Sequence, residues 1–129
     1  MKITLAKTAG FCFGVNRAVQ MVYDLVDNGE KVCTLGPIIH NSQMVEELTN
    51  KGVRVVNSPN EANLHETLVI RSHGVGKSVY NEAEKTGVKV CDATCPFVAK
   101  IHKIVEKQSV NGDTILIAGD ENHHEVIGI

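Results

Sequence analysis

Cys12 lies in Ala9-Gly10-Phe11-Cys12-Phe13-Gly14-Val15, between two aromatics and two glycines. A cysteine that only fills a core sits inside an apolar run. This one sits on a glycine-flanked bend, where a side chain can face a cavity. Cys95 has a comparable setting in Asp92-Ala93-Thr94-Cys95-Pro96. Thiols in such loops point to metal binding or redox chemistry. Cys33 and Cys91 lie within or at the end of β-rich apolar runs, where cysteine behaves as a small buried hydrophobe. The Cys91-x3-Cys95 spacing is not the CxxC of zinc ribbons or thioredoxin-like sites.

The chain carries six histidines, and three share one position in the pattern. His40, His73 and His123 each follow an apolar run of strand character. His65 lies in a polar connection and His102 on the polar side of a helical segment, so both read as surface residues; His124 stays ambiguous. Glu125, beside His123, has the chemistry of an acid. The run Gly74-Val75-Gly76-Lys77-Ser78 is not a P-loop, because Arg71 stands where that motif needs glycine. Nor does it complete G-x-G-x-x-G, because Val79 holds the last position. What remains is a glycine-rich helix opening whose free N–H groups suit an anion. The Asn41-Ser42 helix start offers the same. Histidines beside helix N-termini point to a phosphate or diphosphate, which would favour imidazolium near pH 7.

The elements that must position these residues follow from periodicity. Apolar runs predict strands at residues 3–6, 32–35, 53–56, 67–71, 88–91 and 114–118. Between them, helical spacing appears from Val15 to Val26, around Met44, Val45 and Leu48, from Lys77 to Lys85, and after Pro96. Residues 58–61 read as a short turn. Asn28-Gly29 and Gly87 stop helices, and Asn41 or Ser42 caps one. The alternation predicts an α/β fold with a largely parallel sheet flanked by helices. In such a sheet, residues that follow the strands gather at the carboxyl edge. Cys95-Pro96 is the expected seam. It gives an N-terminal strand and turn at 1–12, a first α/β domain at 13–95, and the start of a second at 96–129.

Composition narrows the class. Hydrophobic residues at 43% and charged residues at 22% fit a globular chain. A net charge of −2, no Lys/Arg block and 4% aromatics argue against a nucleic-acid surface. Lys7 interrupts the first apolar run before a secretory core forms, and no run has the length of a membrane span. These features predict a cytoplasmic protein with reduced thiols.

Five stretches then match one family in order and register. They are Gly10-Phe11-Cys12-Phe13-Gly14-Val15, Gly36-Pro37-Ile38-Ile39-His40-Asn41, Arg71-Ser72-His73-Gly74-Val75, Asp92-Ala93-Thr94-Cys95-Pro96 and His123-His124-Glu125-Val126. Together they resemble the 4-hydroxy-3-methylbut-2-enyl diphosphate reductases, iron–sulfur enzymes that end the methylerythritol phosphate route to isoprenoids. The resemblance implies that Cys12 and Cys95 are two of three thiolate ligands of a [4Fe–4S] cluster. It implies that His40, His73 and His123 hold the diphosphate of an allylic substrate, and that Glu125 supplies protons. Isopentenyl and dimethylallyl diphosphate would be the products, with electrons from a ferredoxin or flavodoxin.

Two departures stand out. His124 replaces the proline usual in that family, and the chain is less than half the family's length. The chain therefore reads as an N-terminal portion, without the third cluster cysteine and inactive by itself. Residues 114–118 would leave an exposed strand edge able to pair with a second copy. The rival readings are a non-enzymatic phosphate-binding module and a zinc-binding structural domain.

Overall fold

The computed structural model describes residues 1–129. Helix α1 (Phe13–Asp27) precedes β1 (Lys31–Leu35), α2 (Ser42–Asn50), β2 (Arg54–Val56) and a 3-10 turn at Pro59–Glu61. β3 (Glu66–Ile70), α3 (Lys77–Thr86), β4 (Lys89–Asp92), α4 (Pro96–Val110) and a one-turn α5 (His124–Ile127) follow. The four strands form one sheet in the order β2-β1-β3-β4, and every pair is parallel. This is the expected α/β architecture.

Sheet and core follow from alternation. Val32 and Val69 point to one face, where they join Ala18, Val19, Val22, Ile38, Ile39 and Leu48. Cys33, Leu35, Leu68 and Ile70 point to the other, against Val75, Ala83 and Val88. Successive side chains on a strand face opposite ways, so β1 and β3 each feed both layers. β3 is buried along its whole length, as a central parallel strand must be. Each fully buried Leu or Ile there contributes roughly 1.5–3 kcal/mol.

The helix boundaries have local causes. Asn41 Oδ1 accepts the Met44 N–H at 3.0 Å, so Asn41 rather than Ser42 caps α2. Gly87, at φ +72°, closes α3 in the left-handed conformation.

Two predicted strands do not form. Residues 3–6 and 114–118 have no ladder partner and no strand structure. Their sequences are apolar, but a strand needs a neighbour to take its N–H and C=O groups, and neither segment meets one in this chain. Ile3, Leu5 and Leu116 are exposed. The edge expected to recruit a second copy is therefore not a hydrogen-bonded strand here. Both clusters of buried side chains lie between Ala18 and Ala93, within the 13–95 span. No helix is long and apolar enough to cross a membrane.

Candidate functional site

The strand order creates the site. From β1 the chain moves outward to β2, then returns across β1 to β3. The order thus reverses between β1 and β3, and crevices open at the carboxyl ends of strands at such a point. His40 lies in the connection after β1 and His73 in the one after β3. Their rings approach to 4.8 Å between centroids. His124 stacks on His40 at 5.4 Å with the planes 9° apart, and lies 6.0 Å from His73. His123 meets His73 edge-on at 6.4 Å. Residues 84 positions apart thus share one patch because adjacent strand ends deliver them.

Each imidazole is held differently. Asn41, next to His40, is fixed by its capping bond. His73 is half-buried, with a buried Nδ1 that has no hydrogen-bond partner. Burial is the main cause that pushes its pKa below the ordinary histidine value; nearby His40 and Arg71 add to it, and Glu125 opposes it. Imidazolium is thus disfavoured at His73 without a bound anion, because desolvation and like charge outweigh one carboxylate. His123 Nδ1 accepts the Glu125 N–H at 3.3 Å and caps α5. Glu125 is exposed, with His73 within its electrostatic reach.

The two loop cysteines hold equivalent positions at two helix starts. Cys12 is the N-cap residue of α1 and Cys95 that of α4, and neither thiol makes a capping bond. The first-turn N–H groups of both 15-residue helices therefore stay free for a negative group. Phe13 and Phe97 meet edge to face, 6.5 Å apart. Arg17 Nη1 donates to the Thr94 carbonyl at 3.2 Å, tying α1 to the residue before Cys95. The Cys95 N–H donates to the Ser72 carbonyl at 2.9 Å, which places the thiol corner beside the His73 loop.

Gly14 completes this corner. A Cβ there would stand 2.6 Å from Cys95 Sγ and 3.0 Å from Cys95 Cβ. In a free helix Gly→Ala gains about 1 kcal/mol. Here overpacking costs roughly 1–3 kcal/mol, and the contact with Cβ means that rotating the thiol alone does not relieve it. Gly14→Ala is therefore expected to destabilise the chain in urea unfolding and to speed labelling of Cys95 by a thiol reagent. Unchanged stability and labelling would contradict the close approach.

Thiol donors are the residues a cluster of iron and sulfide takes, and Cys12 and Cys95 fit that chemistry as two ligands. No group of three or more His, Cys, Asp or Glu side chains is arranged to hold a single metal ion. Cys33 is fully buried, with its thiol pushed up to about 11, chiefly by burial. Burial also raises Cys91. Both match the structural role read from their apolar runs.

Sequence reasoning missed three residues. His102 is not a surface residue. Its Nε2 is buried and unpartnered, and its Cε1 would lie 2.9 Å from a Cβ on Gly74. Arg71, given no role of its own in the sequence reading, reaches His124 Nδ1 at 3.1 Å. His124, ambiguous in the sequence and standing where the family resemblance expects proline, lies in the histidine patch. His65 is exposed, as its polar surroundings indicated.

Known proteins with this arrangement point one way. A family model described as LytB protein matches residues 3–129. A 4-hydroxy-3-methylbut-2-enyl diphosphate reductase of Clostridioides difficile (strain 630) is 47% identical over 130 residues, covering all of this chain and 47% of the relative. One from Thermoanaerobacter sp. (strain X514) is 48% identical over 133 residues, covering 46% of the relative. The solved E-1-hydroxy-2-methyl-but-2-enyl-4-diphosphate reductase of Plasmodium falciparum superposes with a TM-score of 0.89 at 29% identity. That match covers 95% of this chain and 39% of the other. A solved structure described as (E)-4-hydroxy-3-methyl-but-2-enyl diphosphate reductase gives 0.83 at 43% identity, covering 98% and 45%. The chain thus spans just under half the length of the curated relatives it matches. With its parallel sheet, its cysteines at two helix starts and its match over residues 3–129, this chain belongs to the LytB protein family.

Proposed function

We propose that this chain is the portion of a 4-hydroxy-3-methylbut-2-enyl diphosphate reductase that grips the substrate's diphosphate and supplies two cluster thiolates. The observation that carries this reading is the gathering of His40, His73 and His123 at the sheet's switch point, beside the Cys95 corner. The reaction is a reductive dehydroxylation: the allylic alcohol takes two electrons and two protons, loses its hydroxyl as water, and yields isopentenyl or dimethylallyl diphosphate. When bound, a [4Fe–4S] cluster supplies single electrons from a ferredoxin or flavodoxin donor and a binding place for the hydroxyl oxygen.

The chain's own residues prepare that step. Cys12 and Cys95 serve as ligands at two helix starts. His40, His73 and His123 donate hydrogen bonds to phosphate oxygens, and the unpartnered Nδ1 of His73 gains a partner in the complex. Glu125 delivers a proton toward the leaving oxygen. A carboxylic acid can hold that proton near neutral pH once a closed pocket excludes water. The division at residues 95–96 separates the sheet unit from an α4 that belongs to a second domain.

The test joins residues 1–129 to the remaining half of the Clostridioides difficile relative. Anaerobic reconstitution with iron and sulfide should give a four-iron EPR and absorption signature and reduction of the allylic diphosphate. The 129-residue chain alone should give neither. A stable cubane signal from the chain alone would overturn the reading that these residues supply only two of the cluster's ligands. A folded chimaera that takes zinc instead of iron and sulfide would favour the zinc-binding reading.

A further inference from the structure

Arg71 follows directly on β3 and is half-buried. It forms no salt bridge: the three ion pairs of the chain use Arg54, Lys77 and Lys89. Burial lowers its pKa, the mark of a cation held without compensation. Its Nη1 would lie 2.9 Å from a Cβ on Gly36, so that glycine, at φ +69°, makes room for the guanidinium. On the other side Nη2 meets His124 Nδ1 at 3.1 Å. Its Nε is buried without a partner. The side chain is thus clamped between the β1–α2 connection and α5.

The clamp dictates the state of His124. A guanidinium has five donors and no acceptor, so His124 Nδ1 must accept. The ring is then neutral, with its proton on Nε2. Arg71 is also the leading cause that lowers the pKa of His124, followed by burial and by His40 and His123. The titratable groups facing it are Arg71 after β3, His40 after β1, His73 before α3, and His123 beside it. Two carboxylates stand near them: Glu125, which acts on His73, and Glu82 of α3, which lines one cavity together with Arg71 and His124.

We propose that Arg71 and His124 form a further anion-binding pair in the histidine patch, Arg71 supplying a fixed positive charge and His124 a neutral Nε2–H donor to a phosphate oxygen. The pair rests on the diphosphate reading of that patch and extends it to two residues outside the His40, His73 and His123 set. A neutral donor next to a permanent cation binds phosphate without requiring four neighbouring imidazoles to charge together, which like-charge repulsion opposes.

The experiment titrates inorganic pyrophosphate into the 129-residue chain by calorimetry, with His124→Ala, Arg71→Met and His40→Ala variants alongside. Losing one hydrogen bond to a charged ligand should weaken binding roughly tenfold in His124→Ala, and Arg71→Met should weaken it further. His124 lies in a one-turn helix outside both core clusters, and circular dichroism checks that each variant folds. Nitrogen-15 NMR of the ligand-free chain should show Nδ1 of His124 unprotonated and Nε2 protonated, with mixed tautomers in Arg71→Met. Binding by His124→Ala within twofold of the parent, while His40→Ala is weakened, would overturn the pair and leave the diphosphate reading standing. No pyrophosphate binding by the parent, or none lost in any variant, would overturn both. A proton on Nδ1 of His124 would overturn the pair whatever the titrations show.

Discussion

Cys12→Ser and Cys95→Ser, each made in the chimaera, are expected to abolish the iron–sulfur signature and the reductase activity while leaving the fold intact. The reason lies in what these thiols do not do. Cys12 is exposed and Cys95 only half-buried, and neither makes a capping bond. Serine adds no volume, so stability should stay within about 0.5 kcal/mol of the parent for the exposed Cys12, with a slightly larger loss at Cys95, whose Sγ packs against Gly14. A hydroxyl is a poor substitute for thiolate toward iron. Cys33→Ser and Cys91→Ser should behave in the opposite way. Both thiols pack with core clusters, so substitution should cost roughly 1 kcal/mol and leave iron loading unchanged. Iron and sulfide analysis with urea unfolding separates the two pairs. Loss of iron in Cys33→Ser, with Cys12→Ser still loaded, would show that the wrong cysteines have been assigned.

Glu66→Gln is expected to remove roughly 2 kcal/mol of stability at pH 7, and the loss should vanish in acid. Glu66 is buried at the start of β3 with 6% of its side chain exposed. It accepts from Arg54 Nε and Nη2, both at 2.8 Å, and from the Asn63 N–H and Nδ2. The Arg54 bonds are the first cause that brings its pKa from 4.5 to about 2, against the opposing effect of burial. A carboxyl whose folded pKa is depressed stabilises the fold fully above its unfolded value. That contribution fades as pH falls from 4.5 through about 2. The full shift corresponds to roughly 3 kcal/mol, reduced because Arg54 is half exposed and screened. Urea unfolding of parent and variant between pH 7 and pH 2 should show their curves converging toward the acid limit. A gap that stays constant with pH would assign the effect to packing instead of charge. This pair anchors β3, the strand that carries Arg71 and His73 at its far end.

The strands that found partners were readable in the residues, and those that did not were misread for the same reason. Apolar β-branched runs marked β1 through β4 to within a residue or two; β1 and β3 bury a face in each layer, while the edge strands β2 and β4 bury little. Residues 3–6 and 114–118 carry the same apolar pattern, but pattern alone does not say whether a neighbouring strand is present. The cysteine corners were legible as glycine- and proline-flanked loops. That Gly14 must lack a side chain because Cys95 Sγ occupies the space was not, since the two residues are 81 positions apart.

By itself the sequence determined the α/β alternation, the placement of chemistry after the strands, and the split between buried and loop thiols. Those properties depend on period and immediate neighbours. The tertiary structure alone decided that β1 and β3 lie side by side. From that adjacency come the stacking of His40 with His124, the burial that disfavours charge on His73 and the Arg71 clamp on His124. Each is a contact between residues far apart in the chain, set by strand order, which no local pattern encodes.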